Sequence, residues 1–594
     1  MWPRPLRARL APFVIAAVLT ASGTSAARAN PVQAENARAP SEGWSFVQPS
    51  NPSAIAGYAS QVSALPGEVV DFHVRTSPAE RYRVELYRLG WYGGGGGRRI
   101  ACSPSCTGDE AGVVQPAPPP PDASTGEVDA GWSVTDRIRI PAGAASGYYL
   151  AKFVLTSGPA AGQARAYPVI VRSSRLRRAS ILVQVPVNTW QAYNSWGGKS
   201  LYSSNSTDGV RATHVSFNRP FVGLQLFREE LQLVRFLERE GYDVSYQTDL
   251  DSSRDPWALS ERQLVMTAGH GEYWSKAERD GFERARDLGT NLAFMGANTA
   301  YWQVRYADGD RTLVGYKSDA DPISDPSLKT VLFRDLKPPR PECELLGVQW
   351  QGGAYGAGQP LPSYTVTPGA DEDPYLRGTG LVAGSVLQGL VGHEWDAVQS
   401  GCSVPTPTVL FRYDGQRAAE AIRYRAASGA RVLSAGSIHF SWGLDGYADT
   451  HLVGDGSQHS PPADPRVQAF MRNALADLAP GAAPQVERTP AQVTVRAPRA
   501  IRARTLLAKG LRVRIGCSQR CRLEARVVLR RRLLGHAFAT LDSAGTVRLT
   551  VRSRLPALDH SRRQTRLGAL VLLVSATDAA SNRRVVRRRI KLLR

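Results

Sequence analysis

Outside its N-terminal segment the sequence has no unbroken apolar run of about 18 residues, so the mature chain is expected to lack a transmembrane segment. HExxH and G-x-S-x-G are both absent, which argues against a helix-borne zinc pair and against a serine nucleophile at a strand-to-helix elbow. The five consecutive glycines Gly93 to Gly97 have no helical pattern after them, which dismisses a phosphate-cradling loop. Cysteine is scarce, six in 594 residues, and no histidine stands at zinc-finger spacing near any of them. Cys102 and Cys106 lie four apart, as do Cys517 and Cys521, and Cys343 and Cys402 remain as a long-range pair. Three disulfides are the expected use, with metal binding by the CxxxC pairs as the alternative.

Acidic residues are nearly missing from one end of the chain. From Glu487 to Arg594, 27 Lys and Arg face 5 Asp and Glu, a balance of +22 that exceeds the whole-chain +21 and leaves the first 486 residues at −1. The basic character belongs to the tail, and it points to an anionic partner such as an envelope polymer or a membrane surface. Arg far outnumbers Lys throughout, so compositional bias contributes to the excess. At the other end, Arg4, Arg7 and Arg9 precede an apolar run from Leu10 to Leu19 and a small-residue ending at Ala27-Arg28-Ala29. This layout predicts a signal peptide over 1–29 and a secreted or cell-envelope protein; the alternative is an uncleaved anchor.

A chain this long, 42% hydrophobic, must divide into several domains. Residues 30–42 are small and polar and read as a flexible lead-in. Over 43–175, short alternating runs such as VVDFHVR, YRVELYRL and YYLAKFVLT predict an antiparallel β-sandwich. Over 178–482 strand and helix patterns alternate, predicting an α/β domain with a mostly parallel sheet and a ligand crevice at the carboxyl ends of its strands. Residues 487–594 return to a β pattern and predict a small Arg-rich all-β module of immunoglobulin-like kind.

Chemistry collects where the strands of 178–482 stop. ASILVQVPV is followed by Asn188, Tyr193 and Asn194, QLVMTAG by His270 and Glu272, and NLAFMG by Asn298 and Tyr301. GHEWD adds His393, Glu394 and Asp396, and AGSIHFSWG adds His439 and Trp442. Together they predict one aromatic-lined pocket containing His, Glu and Asn. For His270 and Glu272 the competing expectation is a role in capping the helix that follows. The turn AGHGEYW carries neither Cys nor Ser, so covalent catalysis from that position is excluded. Phenol and carboxylate oxygens are hard donors that suit Fe(III), although HGE alone is too short to name a metal.

YRLGWYGGGGGRR, VNTWQAYNSWGGKSLY, AGHGEYWS, FMGANTAYWQVRY, GHEWD and SIHFSWGL, in this order over roughly 43–480, resemble the large (β) subunit of N,N-dimethylformamidase and its family of secreted relatives. The resemblance implies a β-sandwich followed by an α/β domain similar to the class I glutamine amidotransferase fold without its cysteine. It implies a mononuclear Fe(III) site held by two tyrosines and a glutamate, matching Tyr149 (with Tyr148 beside it), Tyr193 and Glu272. It implies proton transfer or second-sphere support by His270, substrate orientation by Asn298, and Glu394 as general base.

The function expected is therefore metal-dependent hydrolysis of a C–N amide bond in a small-molecule substrate. The characterised enzyme has a small partner subunit, which nothing in this sequence indicates. The alternative is a non-catalytic envelope protein that holds glycan or peptide in the same aromatic crevice. A nucleic-acid role rests on the tail alone and is not predicted.

Overall fold

The computed structural model describes residues 30–174, 176–223, 226–353, 361–447, 463–482, 492–518, 521–529, 532–541, 544–552, 569–578 and 583–593. The expected signal peptide, 1–29, lies outside the described residues. Two compact units divide the chain, Met1–Pro484 and Gln485–Arg594. Among the described residues no helix is long and apolar enough to cross a membrane. The cysteines pair as Cys102–Cys106, Cys343–Cys402 and Cys517–Cys521.

In the first unit, Pro31–Asn36, within the segment read as a flexible lead-in, forms a short helix capped by the Asn30 side chain, which accepts from Gln33 N at 2.8 Å. Strands Ile55–Ala59, Val69–Thr76 and Asp136–Arg139 make one sheet; Ser63–Ala64, Ala164–Val171, Gly147–Leu155, Tyr82–Leu89 and Gly97–Ser103 make a second. Phe72 and Phe153, Val74 and Val84, and Tyr58 and Tyr167 fill the space between them. The expected antiparallel sandwich differs at its edge, where Ser63–Ala64 pairs parallel to the strand Ala164–Val171. Nor does it stand apart. Every residue of Gly147–Leu155 is buried, because Tyr148, Leu150 and Val154 on its other face pack with Ile181, Val183 and Phe236 of the following region.

A nine-stranded sheet organises that region, in the order 244–248, 181–185, 264–269, 291–296, 431–434, 419–425, 408–413, 364–366, 386–387. The first five strands run parallel, the rest antiparallel. The α/β domain with a mostly parallel sheet, similar to the class I glutamine amidotransferase fold, is thus contradicted: strands dominate the chain, and in this region they spread over three sheets of mixed character among the described residues. The physical reason lies in the connections. Parallel neighbours need a crossover of a dozen or more residues, and segments 414–418 and 426–430 are too short, so 408–413, 419–425 and 431–434 fold back as hairpins.

The second unit has a three-stranded sheet, Val493–Arg496, Leu511–Cys517 and Gly545–Val551, and a five-stranded sheet built around Cys521–Leu529 and Ala569–Asp578. Val513, Ile515, Leu523, Leu572 and Val574 form its core. It departs from the expected immunoglobulin-like all-β module in having a helix, Ala503–Lys509, and a parallel pair, Ala500–Arg502 with Arg583–Leu593.

One buried ion pair ties the sandwich to the helix Leu231–Glu240 of the following region. Arg88 Nη2 donates to Glu238 Oε1 at 2.7 Å and Nη1 to Oε2 at 3.0 Å, both side chains fully buried. Glu238 also accepts from Asn36 Nδ2 at 2.7 Å and Tyr246 Oη at 3.1 Å. Removing one partner strands the other charge in the interior, which costs about 3–5 kcal/mol. Glu238→Ala should lose about that much stability by chemical denaturation, and Arg88→Met/Glu238→Leu should recover most of it. Equal losses in both variants would contradict this account.

Candidate active site

Two parallel strands bring the chemistry together. Leu264–Gly269 and Asn291–Gly296 run in register so that Gly269 pairs with Gly296. A Cβ on Gly296 would lie 1.8 Å from the Gly269 carbonyl oxygen, so only glycine allows this approach. Beyond it the chain turns sharply: Gly269 (φ +56°), Asn298 (+51°), Ala300 (+54°) and, opposite, His393 (+54°) are left-handed. Left-handed non-glycine residues are costly, and their clustering marks a constrained site. Backbone bonds fix it. Ala300 N donates to Gly271 O at 2.8 Å, Tyr301 N and Trp302 N to Glu272 O at 3.0 Å, and Glu272 N to Thr189 Oγ1 at 3.0 Å.

Glu272 is buried, and both its oxygens are occupied by phenols. Tyr193 Oη donates to Oε2 at 2.9 Å and Tyr202 Oη to Oε1 at 2.5 Å, with the two rings stacked 4.3 Å apart. His270 Nε2 lies 3.4 Å from Glu272 Oε2 and 3.3 Å from Glu394 Oε2. Asn298 Nδ2 is 3.3 Å from the same imidazole nitrogen and 2.5 Å from Glu394 Oε2. Asn298 Oδ1 is buried and has no partner among the described residues. Asp396 Oδ1 accepts from Asn298 N at 2.9 Å and so holds the left-handed turn in place.

Electrostatics follow from this crowding. Burial disfavours His270 protonation, but Glu394 and Glu272 outweigh it and raise the imidazole to about 9. Burial raises Glu394, yet His270, His393 and Asn298 prevail and hold it below the usual carboxylate range. Burial and the Glu394 charge leave Glu272 raised. Burial and Glu272 push both phenols well above their ordinary value. Burial lifts Asp396 to about 7. Lys317, lowered to about 7 by burial and Arg211, sits 3.5, 4.9 and 5.0 Å from the Tyr202, Tyr273 and Trp302 ring centres.

Of the residues singled out from sequence, His270, Glu272, Tyr193, Asn298 and Glu394 meet here. Neither His270 nor Glu272 caps the next helix: Ser275 does, in a capping box with Glu278. Tyr149 is not at the site. Its hydroxyl donates to Ala145 O at 2.8 Å inside the sandwich. Tyr148, on the opposite face of the strand, donates to Glu230 Oε2 at 2.6 Å instead. Asn188 and Asn194 spend their amides on Tyr273 O and Pro220 O. Tyr301 packs on Trp350, and His439 stacks on Trp442 at 3.6 Å.

Sequence reasoning missed Tyr202 and Lys317. For Tyr202 a signal existed: Gly197 and Gly198, both left-handed, turn the chain back after Tyr193 and return Tyr202 beside it. An isolated lysine such as Lys317 gave none.

The family model described as N,N-dimethylformamidase beta subunit-like, C-terminal, matches residues 83–452. No curated protein matches the chain. Among solved structures, superoxide reductase (neelaredoxin) from Ignicoccus hospitalis is 15% identical over 20% of this chain and 91% of that one, with a TM-score of 0.12. A Ca2+-stabilized adhesin of an ice-binding Antarctic bacterium is 10% identical over 93% and 100%, at 0.15. Red sea bream transglutaminase is 10% identical over 90% and 81%, at 0.13. TM-scores this low carry no argument about fold or function.

Two outcomes are expected of the metal-free protein. Gly296→Ala should lower the melting temperature markedly and disturb the near-UV spectrum, since backbone occupies the Cβ position; an unchanged melt would mean the strand ends part easily. His270, raised in the folded state, contributes stability that is complete below about pH 6.5 and lost as pH rises through about 9. His270→Gln should flatten the melting temperature across that window relative to wild type.

Proposed function

The chain belongs to the N,N-dimethylformamidase β-subunit-like family, and from that premise we propose that it hydrolyses a C–N amide bond of a small molecule at a mononuclear iron site. The observation that carries this reading is the convergence of the Tyr193 and Tyr202 hydroxyls on the two oxygens of one buried carboxylate, Glu272. Among the described residues no group of three or more His, Cys, Asp or Glu is placed to hold a metal. A metal site here therefore draws on phenols, and two phenols with a carboxylate form a hard, all-oxygen donor set that fits Fe(III). Tyr193, Tyr202 and Glu272 would hold the ion, with Tyr202 in the place sequence reasoning gave to Tyr149. Bound there, Fe(III) supplies a Lewis acid that polarises a carbonyl and acidifies water.

The remaining steps belong to the chain's own groups. Glu394, kept ionised by His270, accepts a proton from the attacking water as the C–O bond forms. His270, protonated up to about pH 9, donates to the departing nitrogen as the C–N bond breaks, giving a carboxylic acid and an amine. Asn298 holds the pair together: its Nδ2 donates to Glu394 beside His270, and its Oδ1, without a partner among the described residues, is placed to accept a bond from the substrate. Export is part of the proposal, since three disulfides suit an oxidising compartment.

A second reading, a non-catalytic glycan- or peptide-holding protein, is favoured by the half-buried aromatics Tyr301, Trp302 and Trp350 beside the site. Metal analysis with visible spectroscopy of the untagged protein separates the two. Stoichiometric iron with a tyrosinate-to-iron charge-transfer band should be found, weakened or lost in Tyr193→Phe and in Tyr202→Phe and unchanged in Tyr149→Phe. A protein that stays iron-free after reconstitution would overturn the hydrolase reading. With iron bound, Glu394→Gln should lower kcat by 100-fold or more, the scale of general base catalysis.

A further inference from the structure

The outward face of the three-stranded sheet in the second unit places like charges directly opposite one another. Arg496 pairs in register with Arg514, and Arg514 with Arg548, so three arginines form one row across all three strands. All three are exposed, while Val495, Val513 and Leu549 between them point into the core. Arg512 extends the row along the central strand, and Thr494, Thr546 and Thr550 fill the rest of the same face. Among the described residues none of the three arginines makes an ion pair; the one pair in this unit, Arg526–Glu524, lies on the other sheet. Like charges in directly opposed cross-strand positions are destabilising. Strands lie about 4.8 Å apart and same-face residues about 7 Å along a strand. Guanidinium forks at that spacing suit successive phosphates, which they bind bidentately.

We propose that this face binds a linear phosphodiester polymer, reading backbone charge through Arg496, Arg514 and Arg548. It carries arginine and threonine and no aromatic ring, so it offers no platform on which bases could stack. A base-free chain of the poly(glycerol phosphate) kind fits it better than nucleic acid. The proposal is independent of the hydrolase reading, because it concerns a different unit and different chemistry.

The test measures binding of a defined poly(glycerol phosphate) oligomer to the full-length protein across a salt series. Arg496→Thr/Arg514→Thr/Arg548→Thr is compared with a charge-matched control on the other sheet, Arg587→Thr/Arg589→Thr/Lys591→Thr. Losing three phosphate contacts should reduce the slope of log K against log salt by about 2 and weaken binding at least tenfold, against a smaller loss in the control. Arg514→Thr alone should raise the melting temperature of the unbound protein, because it relieves repulsion without removing a core contact. Equal losses in the two triple variants would overturn the proposal in favour of diffuse charge. Tighter binding of a single-stranded DNA of equal charge would assign the face to nucleic acid and overturn it as well.

Discussion

Everything at the candidate site depends on two backbones coming closer than side chains permit. Gly269 and Gly296 end adjacent parallel strands, and the carbonyl of one occupies the space a Cβ of the other would need. With the strand ends pressed together, the segments 270–272 and 297–300 leave from one point and turn through left-handed residues instead of diverging. His270 and Asn298 then face each other at 3.3 Å, although they are 28 residues apart in the chain. The GHE loop closes the group from the other side through the Asp396 bond to Asn298 N.

That compression creates an electrostatic problem whose resolution is the site's character. Glu272, Glu394 and Asp396 are crowded into one interior region, and His270 is the cation in direct contact with two of them. Ionising every carboxylate would leave like charges unbalanced in a medium where they interact strongly. The site divides the labour: Asp396 is pushed towards neutrality, Glu394 stays charged against His270, and Glu272 takes two phenolic donors. Groups of one type are thus held in different protonation states within a few ångströms, the arrangement acid–base chemistry requires.

The strand-end motifs were legible in the sequence because a buried strand announces its own end: an apolar run stops, glycines follow, and the polar residues after them have nowhere to go but the crevice. His270, Glu272, Tyr193 and Asn298 follow strands in this way, whereas Glu394 stands out through the GHEWD motif. The sheet's character was not legible, since Thr408–Tyr413 and Ala419–Arg425 look the same in sequence whether they pair parallel or antiparallel. Connection length decides between them, and the short links between 413 and 431 held the answer. Tyr202 was hidden for a related reason. It belongs to no strand end and reaches Glu272 only because two left-handed glycines reverse the chain, a tertiary event with a weak local signature.

Tyr149 and Tyr148 show how a period of two settles what family resemblance leaves open. Adjacent residues of a strand point to opposite faces, so at most one of the pair could ever look towards the nine-stranded sheet. Tyr149 faces the sandwich interior, and no rotation of its side chain changes that. Tyr148 faces the right way but is already committed: with Trp190 Nε1, which donates at 2.8 Å, it satisfies Glu230, whose burial raises that carboxyl to about 8. Freeing Tyr148 to serve Glu272 would strip a buried acid of one of its two donors, a cost comparable to leaving any interior polar group unpaired. Tyr202 carries no such debt. It reaches Glu272 from a half-buried loop, with the face of its ring against Lys317, and its hydroxyl already donates to the Glu272 carboxylate.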